Sequence, residues 1–438
     1  MTIAHDCISV DTLNDARSNT PALGSTRTIR IGLLGLGHVG SAIARHAGVV
    51  GSWRLQVTTA LVRDPHRRRD GGGVAVTADP EAVFASRPTV VVEALGGLEP
   101  ARTLVLDALA RRIPVVTANK SLLAHHGEEI FDAAGKNGVP VRYEASVIAG
   151  VPFLGNFAGR PHASRLSAIV GIVNGTTNFI LSAMECGQSD YRAALFEAQR
   201  RGYAEPDPSK DVRGIDAVEK LAILIRQFAG RQVDPAGIET VGIDDVTALD
   251  FAHARALGGT LKPVVAADGL ESPTLAIAAF AGPAFVPIHH PLARLTHTTN
   301  GLCLRDVAGS HLTLTGPGAG PDVTAVTVLD DVIDAATSAH TRSGVVAPSV
   351  PVTSPTTPWL LRLTHTGALP PSNDLPGILA RHGARAARTS IRTADGGQWS
   401  HAILTHACSR PAIERAAAAV AAASGSTTRL FRALGPAD

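Results

Sequence analysis

The side chains best suited to moving protons fall in two short stretches. In the first, Asp216 and Lys220 stand four residues apart with the carboxylate N-terminal, which on a helix puts both on one face. A carboxylate so placed can orient a lysine and tune its proton affinity. The bland reading is an exposed helix pair worth about 0.3 kcal/mol. Upstream, Pro206 and Pro208 stiffen a loop that carries Glu205 and Asp207, and Asp211 is placed to cap the helix that follows. The second stretch is Thr117-Ala118-Asn119-Lys120, directly after the apolar Val115-Val116. A lysine at the carboxyl end of a parallel strand is where such sheets meet their ligands; the alternative is a solvated lysine at a helix start. Only five lysines, at 120, 136, 210, 220 and 262, occur among the 40 Lys+Arg. Arginine supplies the routine surface charge, so a lysine marks positions where an arginine would fail.

A third motif binds rather than reacts. Gly35-Leu36-Gly37-His38-Val39-Gly40 is G-x-G-x-x-G between the apolar run Ile29 to Leu34 and the helical spacing of Val39 to Val50. The first glycine permits the turn, the second lets backbone approach a pyrophosphate, and the third lets helix and strand pack. His38 either touches the pyrophosphate or points to solvent. A second strand spans Arg54 to Val62 and ends Leu61-Val62-Arg63-Asp64, followed by Arg67, Arg68 and Arg69. Arg63 favours the extra phosphate of NADP, and Asp64 leaves NAD open.

These residues need a frame to hold them. Val90 to Val92 with Leu95, Gly96 and Gly97 after it, a helix from Pro100 to Arg111, Val115-Val116, a helix to Lys136 and a strand from Val139 to Glu144 continue the alternation. Repeated βα units predict a Rossmann-type, doubly wound parallel sheet over residues 29–150, preceded by a polar extension at 1–28 expected to be disordered. Residues 151–345 read as an α+β domain, with strand Leu166 to Val173, helices Asn178 to Met184, Tyr191 to Arg201 and Ile215 to Ala229, and a return at 320–345 to the first domain. Residues 346–358 read as a Pro/Ser/Thr linker, and 359–438 as a βαββα-like module with Leu360 to Thr364, Asp374 to Ala380 and His401 to Thr405 as its clearest parts.

Composition narrows the class of function. Hydrophobic residues make up 45% and charged residues 18%, enough for large cores, and the formal net charge of +2 argues against nucleic acid as partner. The four cysteines, Cys7, Cys186, Cys303 and Cys408, show no C-x-x-C spacing, which suits a reducing cytoplasm and signals neither zinc nor disulfides. The alanine run from Ala416 to Ala423 is too short for a membrane span, and no signal peptide is evident. The adjacent pairs His125-His126 and His289-His290 lack the i, i+4 spacing of helical metal ligands and read as surface or packing residues.

The motifs, in order, resemble those of the homoserine dehydrogenases: Gly35 to Gly40, Thr117 to Lys120, Glu144-Ala145-Ser146-Val147-Ile148-Ala149-Gly150-Val151-Pro152, Asn174-Gly175-Thr176-Thr177-Asn178-Phe179-Ile180-Leu181, Gly202 to Lys220, and Gly316-Pro317-Gly318-Ala319-Gly320. The match covers residues 29–340. The resemblance implies hydride transfer between the C4 of L-homoserine or L-aspartate 4-semialdehyde and a nicotinamide, in threonine and methionine biosynthesis. It implies Lys220 as acid–base lysine, Lys120 as a second lysine at the nicotinamide–substrate junction, and Asp216 as their orienter. Glu205 would hold the substrate ammonium, with Asp211 shaping the pocket. Gly35, Gly37, His38, Val39, Gly40, Arg63, Leu95, Lys120 and Gly320 would face the cofactor. The family's monovalent cation, usually sodium, would take backbone oxygens of Glu144, Val147, Ala149 and Val151.

The resemblance further implies a catalytic and dimerisation role for the middle domain, hence a homodimer or homotetramer. The tail resembles an ACT domain, a small amino-acid-binding regulatory module, through D-x-P-G-x-L-A at Asp374 to Ala380; it is expected either to bind a threonine effector or to serve dimerisation without a ligand. Two competing readings remain: another Rossmann dehydrogenase of a small amino or hydroxy acid, and a catalytically silent cofactor-binding regulator of the same fold.

Overall fold

The structure, a computed structural model, describes residues 26–69, 71–158, 165–187, 189–272, 276–337, 349–366, 375–394 and 398–435. Most of the polar extension, residues 346–348 of the expected linker and Asp374 of the tail motif lie outside the described residues.

The first sheet is built of β1 (Arg27–Leu34), β2 (Val49–Val50), β3 (Trp53–Leu61), β4 (Val76–Thr77), β5 (Val90–Glu93), β6 (Val115–Thr117) and β7 (Val141–Arg142). Its order is β2-β3-β1-β5-β6-β7, with β4 beside β3, and every pairing but β2 with β3 is parallel. Alternate residues of each strand feed opposite faces. Ile29, Ile31, Leu33, Val90 and Val92 pack beneath α1 (His38–His46), while Leu34, Val91 and Val115 pack beneath α2 (Pro80–Ala85), α3 (Ala101–Ala110) and α4 (Lys120–Asn137). The strand order reverses direction between β1 and β5, the topological switch point at which doubly wound sheets bind ligands. Helix α1 is shorter than its apolar spacing predicts: the chain turns at Gly48 and Gly51 to make the hairpin β2–β3. The last strand also shrinks, because the chain coils at Glu144–Ser146 into a single 3₁₀ turn.

Next come α5 (Leu154–Ala158), β8 (Leu166–Ile172), α6 (Gly175–Gly187), α7 (Tyr191–Arg200), α8 (Ser209–Val212), α9 (Ile215–Ala229), β9 (Glu239–Thr240), α10 (Ala248–Ala256), β10 (Gly259–Asp268), β11 (Ile277–Pro287), β12 (Thr299–Asp306) and β13 (His311–Pro317). The long strands form the antiparallel order β13-β12-β8-β10-β11, and α9 lies on one face with Leu221, Ile223 and Ile225 among Ile169, Val265 and Leu302. Helix α11 (Pro321–Thr337) then packs back against α1 and the first sheet through Ala325, Val328 and Val332.

The tail is β15 (Trp359–Thr366), α12 (Leu375–Arg381), β16 (Ala386–Ala394), β17 (Gln398–Thr405), α13 (Arg410–Ser424) and β18 (Thr427–Ala433), preceded by β14 (Val352–Thr353). It is βαββαβ, one strand more than predicted, in the order β18-β15-β17-β16. Its edge is not free: β18 pairs with β11, so one sheet runs from β13 to β16. The expected linker is likewise tied down where it is described, since β14 pairs with β11 and the Arg432 guanidinium donates to Pro355 O at 2.9 Å. Among the described residues no helix is long and apolar enough to cross a membrane.

Candidate active site

At the switch point the glycine turn is set by close backbone approach. Gly35 has φ of 105°, and a Cβ there would sit 2.7 Å from Ala94 O; a Cβ on Gly40 would sit 2.1 Å from Gly35 O. A Cβ on Gly37 would meet nothing within 4 Å, so the mouth of the turn is open. Helix α1 begins there with no acidic residue in its first turn and no side-chain cap, leaving its N–H groups available to an anion. His38 is exposed and Val39 half-buried against the first core. Gly320, at φ of 137°, precedes α11, and its carbonyl accepts from Thr324 N at 2.9 Å. These features fit a dinucleotide pyrophosphate. Beyond β3, Arg63 is exposed, whereas the Asp64 carboxylate turns back onto His66 N at 2.9 Å and Arg69 braces the same loop through Asp64 O at 2.7 Å.

The floor beside this turn is organised by a residue that the sequence reading passed over. Glu93 ends β5 fully buried, and its carboxylate accepts from Leu95 N at 2.8 Å, Gly96 N at 3.2 Å, Thr117 Oγ1 at 2.6 Å and Asn119 Nδ2 at 3.3 Å. Burial pushes its carboxyl above the usual range against those four bonds. Asn119 also donates to Gly97 O at 2.7 Å and caps α4 by accepting from Leu122 N at 3.1 Å. Lys120, the first residue of α4, is thereby fixed next to the loop that holds Leu95.

Lys120 meets the middle domain through Asp216. The two Asp216 oxygens divide between two lysines: Oδ1 lies 2.9 Å from Lys120 Nζ, and Oδ2 lies 2.9 Å from Lys220 Nζ. Lys220 Nζ also donates to Val173 O at 2.8 Å, at the end of β8. Asn174 completes the group, its Nδ2 donating to Asp216 Oδ2 at 2.8 Å and Asp211 Oδ1 at 2.7 Å, while its Oδ1 accepts from Thr177 N at 2.8 Å. Burial alone would raise the Asp216 carboxyl; Lys220 and Lys120 outweigh it and hold the group far below the usual range. In return Asp216 lifts Lys120 above the ordinary lysine value, with desolvation opposing and Glu219 and Asp211 assisting. Asp211 moves up, first through burial and then through the Asp216 charge.

Lys120, Asn174 and the group Asp211, Asp216 and Lys220 therefore form one cluster, drawn from three segments far apart in sequence. Asp211 does not cap α9 as its position predicts. It sits inside α8, bonded to Asn174, and Gly214 in the left-handed region precedes α9 without a side-chain cap. Glu205 stands exposed on its loop, which Gln199 Nε2 holds through Glu205 O at 3.2 Å and Thr176 Oγ1 through Tyr203 O at 2.7 Å. The Asn174 role had a signal, a polar residue ending an apolar strand; so did Glu93, the one charge closing Val90-Val91-Val92.

The turn from Glu144 to Val151 is buried and wound around its own acid. The Glu144 carboxylate accepts from Phe153 N at 2.7 Å, Leu154 N at 2.8 Å and Gly155 N at 2.6 Å, and Ala149 O accepts from the Thr327 hydroxyl. Among the described residues no three His, Cys, Asp or Glu side chains gather as metal ligands. His290 is buried and accepts from Leu292 N at 3.1 Å, a packing role; His289 is exposed.

Known families match both parts of this chain. The family described as "Homoserine dehydrogenase, NAD binding domain" matches residues 35–144, and "Homoserine dehydrogenase" matches residues 152–333. The chain is similar to a homoserine dehydrogenase of Synechocystis sp., 37% identical over 316 residues, covering 70% of this chain and 73% of the other. A homoserine dehydrogenase of Mycobacterium tuberculosis is 33% identical over 386 residues, covering 85% and 87%. The crystal structure of a homoserine dehydrogenase from Thiobacillus denitrificans superimposes with a TM-score of 0.83 at 31% identity, covering 93% of this chain and 98% of that one. A hyperthermophilic archaeal homoserine dehydrogenase in complex with NADPH superimposes with a TM-score of 0.59 at 25% identity, covering 70% and 97%.

Proposed function

The chain belongs to the homoserine dehydrogenase family, a nicotinamide-dependent oxidoreductase interconverting L-homoserine and L-aspartate 4-semialdehyde, and from that premise we propose that Lys120, Asp216 and Lys220 are its proton-handling group. The observation that carries the proposal is the single buried carboxylate shared by two lysines, one at the cofactor loop and one in the substrate domain. The cofactor supplies the hydride acceptor or donor at C4. In the oxidative direction the C4–H bond breaks as hydride, and the hydroxyl proton passes to a neutral lysine amine as the carbonyl forms. Lys220, held by Asp216 and Val173 O, is the acid–base group, and Lys120 links it to the nicotinamide side. Glu205 receives the substrate ammonium, and Asp211, with its Asn174 bond, shapes the wall.

The cofactor reading extends to NADP. Asp64 spends its carboxylate on its own loop, while Arg63 is exposed where a 2′-phosphate would lie. Gly35, Gly37, His38, Val39, Gly40, Leu95 and Gly320 line the remaining path. Backbone oxygens of Glu144, Val147, Ala149 and Val151, on a turn held closed by the Glu144 carboxylate, are hard donors suited to sodium, whose bound charge would stiffen the turn beside α11. The βαββαβ order of the tail supports an ACT-like module taking threonine, and by analogy with the family the protein works as a homodimer or homotetramer in the cytoplasm.

The test is direct. Purified protein is mixed with L-homoserine and NADP⁺ or NAD⁺, and reduced nicotinamide is followed, with Lys220→Ala and Lys120→Ala beside the parent. Turnover in the parent and a loss of about 10²-fold or more in folded variants is expected, in line with general acid–base catalysis. Full turnover in folded Lys220→Ala would overturn the assignment.

A further inference from the structure

Helices α4 and α9 present one ladder to each other. Its first rung is Lys120 on Asp216. One helical turn further into the contact, Glu219 on α9 turns its carboxylate to α4: the Ser121 hydroxyl donates to Oε2 at 2.8 Å, and His125 Nε2 lies 3.5 Å from Oε1. Ser121 and His125 are i and i+4 on α4, while Asp216 and Glu219 are i and i+3 on α9, so each helix aligns its pair on the facing surface. The Glu219 side chain is only 6% exposed, and a buried carboxylate is kept where hydrogen bonds and charge compensate it. Beyond this rung Leu123 packs among Val218, Leu221 and Ala222, and Arg226 makes a cation–π contact over the Phe131 ring at 4.5 Å. Ser121 directly follows Lys120, so the hydroxyl held by Glu219 fixes the backbone that bears the lysine.

We infer that Glu219 is a positioning residue of the reaction: through Ser121 it clamps the first turn of α4 onto α9, and its charge joins that of Asp216 around Lys120. Nothing in the six matching motifs required a carboxylate here; the inference comes from the ladder. It rests on the reading of Lys120 and Lys220 as the proton-handling pair. The groups facing Lys120 are Asp216 and Glu219 from α9 and Asp211 from α8, with Lys220 across Asp216 and His125 across Glu219. Each carboxylate favours the ammonium form. Removing one charge eases deprotonation, whereas removing only the hydroxyl loosens the position and leaves the charge.

Glu219→Gln and Ser121→Ala separate the two effects. Lys120 reactivity is read by trace acetylation with acetic anhydride against pH, followed by peptide mass spectrometry, and homoserine oxidation is profiled over the same range. Glu219→Gln is expected to move both the acetylation midpoint of Lys120 and the rising limb of oxidation to lower pH. Ser121→Ala is expected to leave the midpoint in place and lower kcat by about threefold or more with homoserine KM within about twofold, as a misplaced catalytic group would. Melting temperatures of both variants identify any loss that is only unfolding. An unmoved midpoint in folded Glu219→Gln, or an unchanged kcat in Ser121→Ala, overturns the clamp. The acetylation arm is independent of turnover, so a failure of the lysine assignment, read as an active Lys120→Ala, is told apart from a failure of the clamp.

Discussion

Asp216 bears two ammonium groups on one buried carboxylate, and its shift runs opposite to that of Lys120. Its folded value lies below the unfolded one near ~3.9, so its stabilising contribution is complete above that pH and is lost as pH falls through the depressed value. Lys120 is shifted upward, so its contribution is complete below ~10.4 and is lost as pH rises through the raised value. Asp216→Asn removes the shared charge and leaves two buried or half-buried ammoniums facing an amide. We expect a loss of about 3 kcal/mol and a fall in kcat/KM of roughly 10²-fold. The melting gap between parent and variant, measured by differential scanning fluorimetry, should be flat from about pH 5 to 9 and close at either end; a gap that widens toward acid would contradict the assignment. The partners of this aspartate were only half legible in the sequence. Its i, i+4 relation to Lys220 is a helix property, readable from spacing. Its bond to Lys120 depends on how α4 meets α9, which no local pattern encodes, and Glu219 was missed for that reason.

Elements bounded by glycine were the most legible. Helix α9 begins after Gly214 and ends before Gly230, both left-handed, and its apolar face read as 215–229 from sequence alone. Strand β18 was missed because Arg429 and Arg432 interrupt its apolar residues, yet Arg432 is buried, stacked 4.5 Å over Trp359 and paired with Glu239. A tertiary ion pair and a ring stack supply what local hydrophobicity does not. The turn from β1 into α1 lies at the opposite extreme, since its glycines are dictated by contacts the motif already implies. Gly40→Ala would drive a Cβ to 2.1 Å from Gly35 O, and backbone on both sides must then give way. The expected cost is about 2 kcal/mol of stability, as for other overpacked sites, and loss of the pyrophosphate seat. An NADPH titration by nucleotide fluorescence should show affinity down by about tenfold or more, with homoserine-site residues untouched. Binding at parental strength would mean that the turn does not seat the cofactor.

At the scale of the whole molecule, the tail is joined to the catalytic body by more than a shared sheet edge. Helix α10 lies against β16 and β17: His253 places its ring nitrogens 3.1 Å from Ser390 Oγ and 2.9 Å from Ser400 Oγ, and Arg388 donates to Leu257 O at 2.9 Å. The central tie is Arg362 of β15, 2.9 Å from Asp250 Oδ1 and donating to Thr247 Oγ1 at 2.8 Å, while Asp250 Oδ2 closes the capping box of α10. Asp250 is 1% exposed. Arg362→Ala strands that carboxylate, and breaking one side of a buried pair costs about 3 kcal/mol. The melting temperature should fall by several degrees, while KM for NADPH, set at the far sheet, should stay within about twofold of the parent. Helix α10 also packs on α6, whose first turn follows Asn174, so contacts run from the tail to the Asp216 group. If the tail takes threonine, the parent should be inhibited and raised in melting temperature by it. Arg362→Ala should then keep threonine binding, read calorimetrically, and lose much of the inhibition. A threonine titration that leaves parental activity and melting temperature unchanged would instead assign the α10 contacts to stability alone, with the tail serving as the outer half of one continuous sheet.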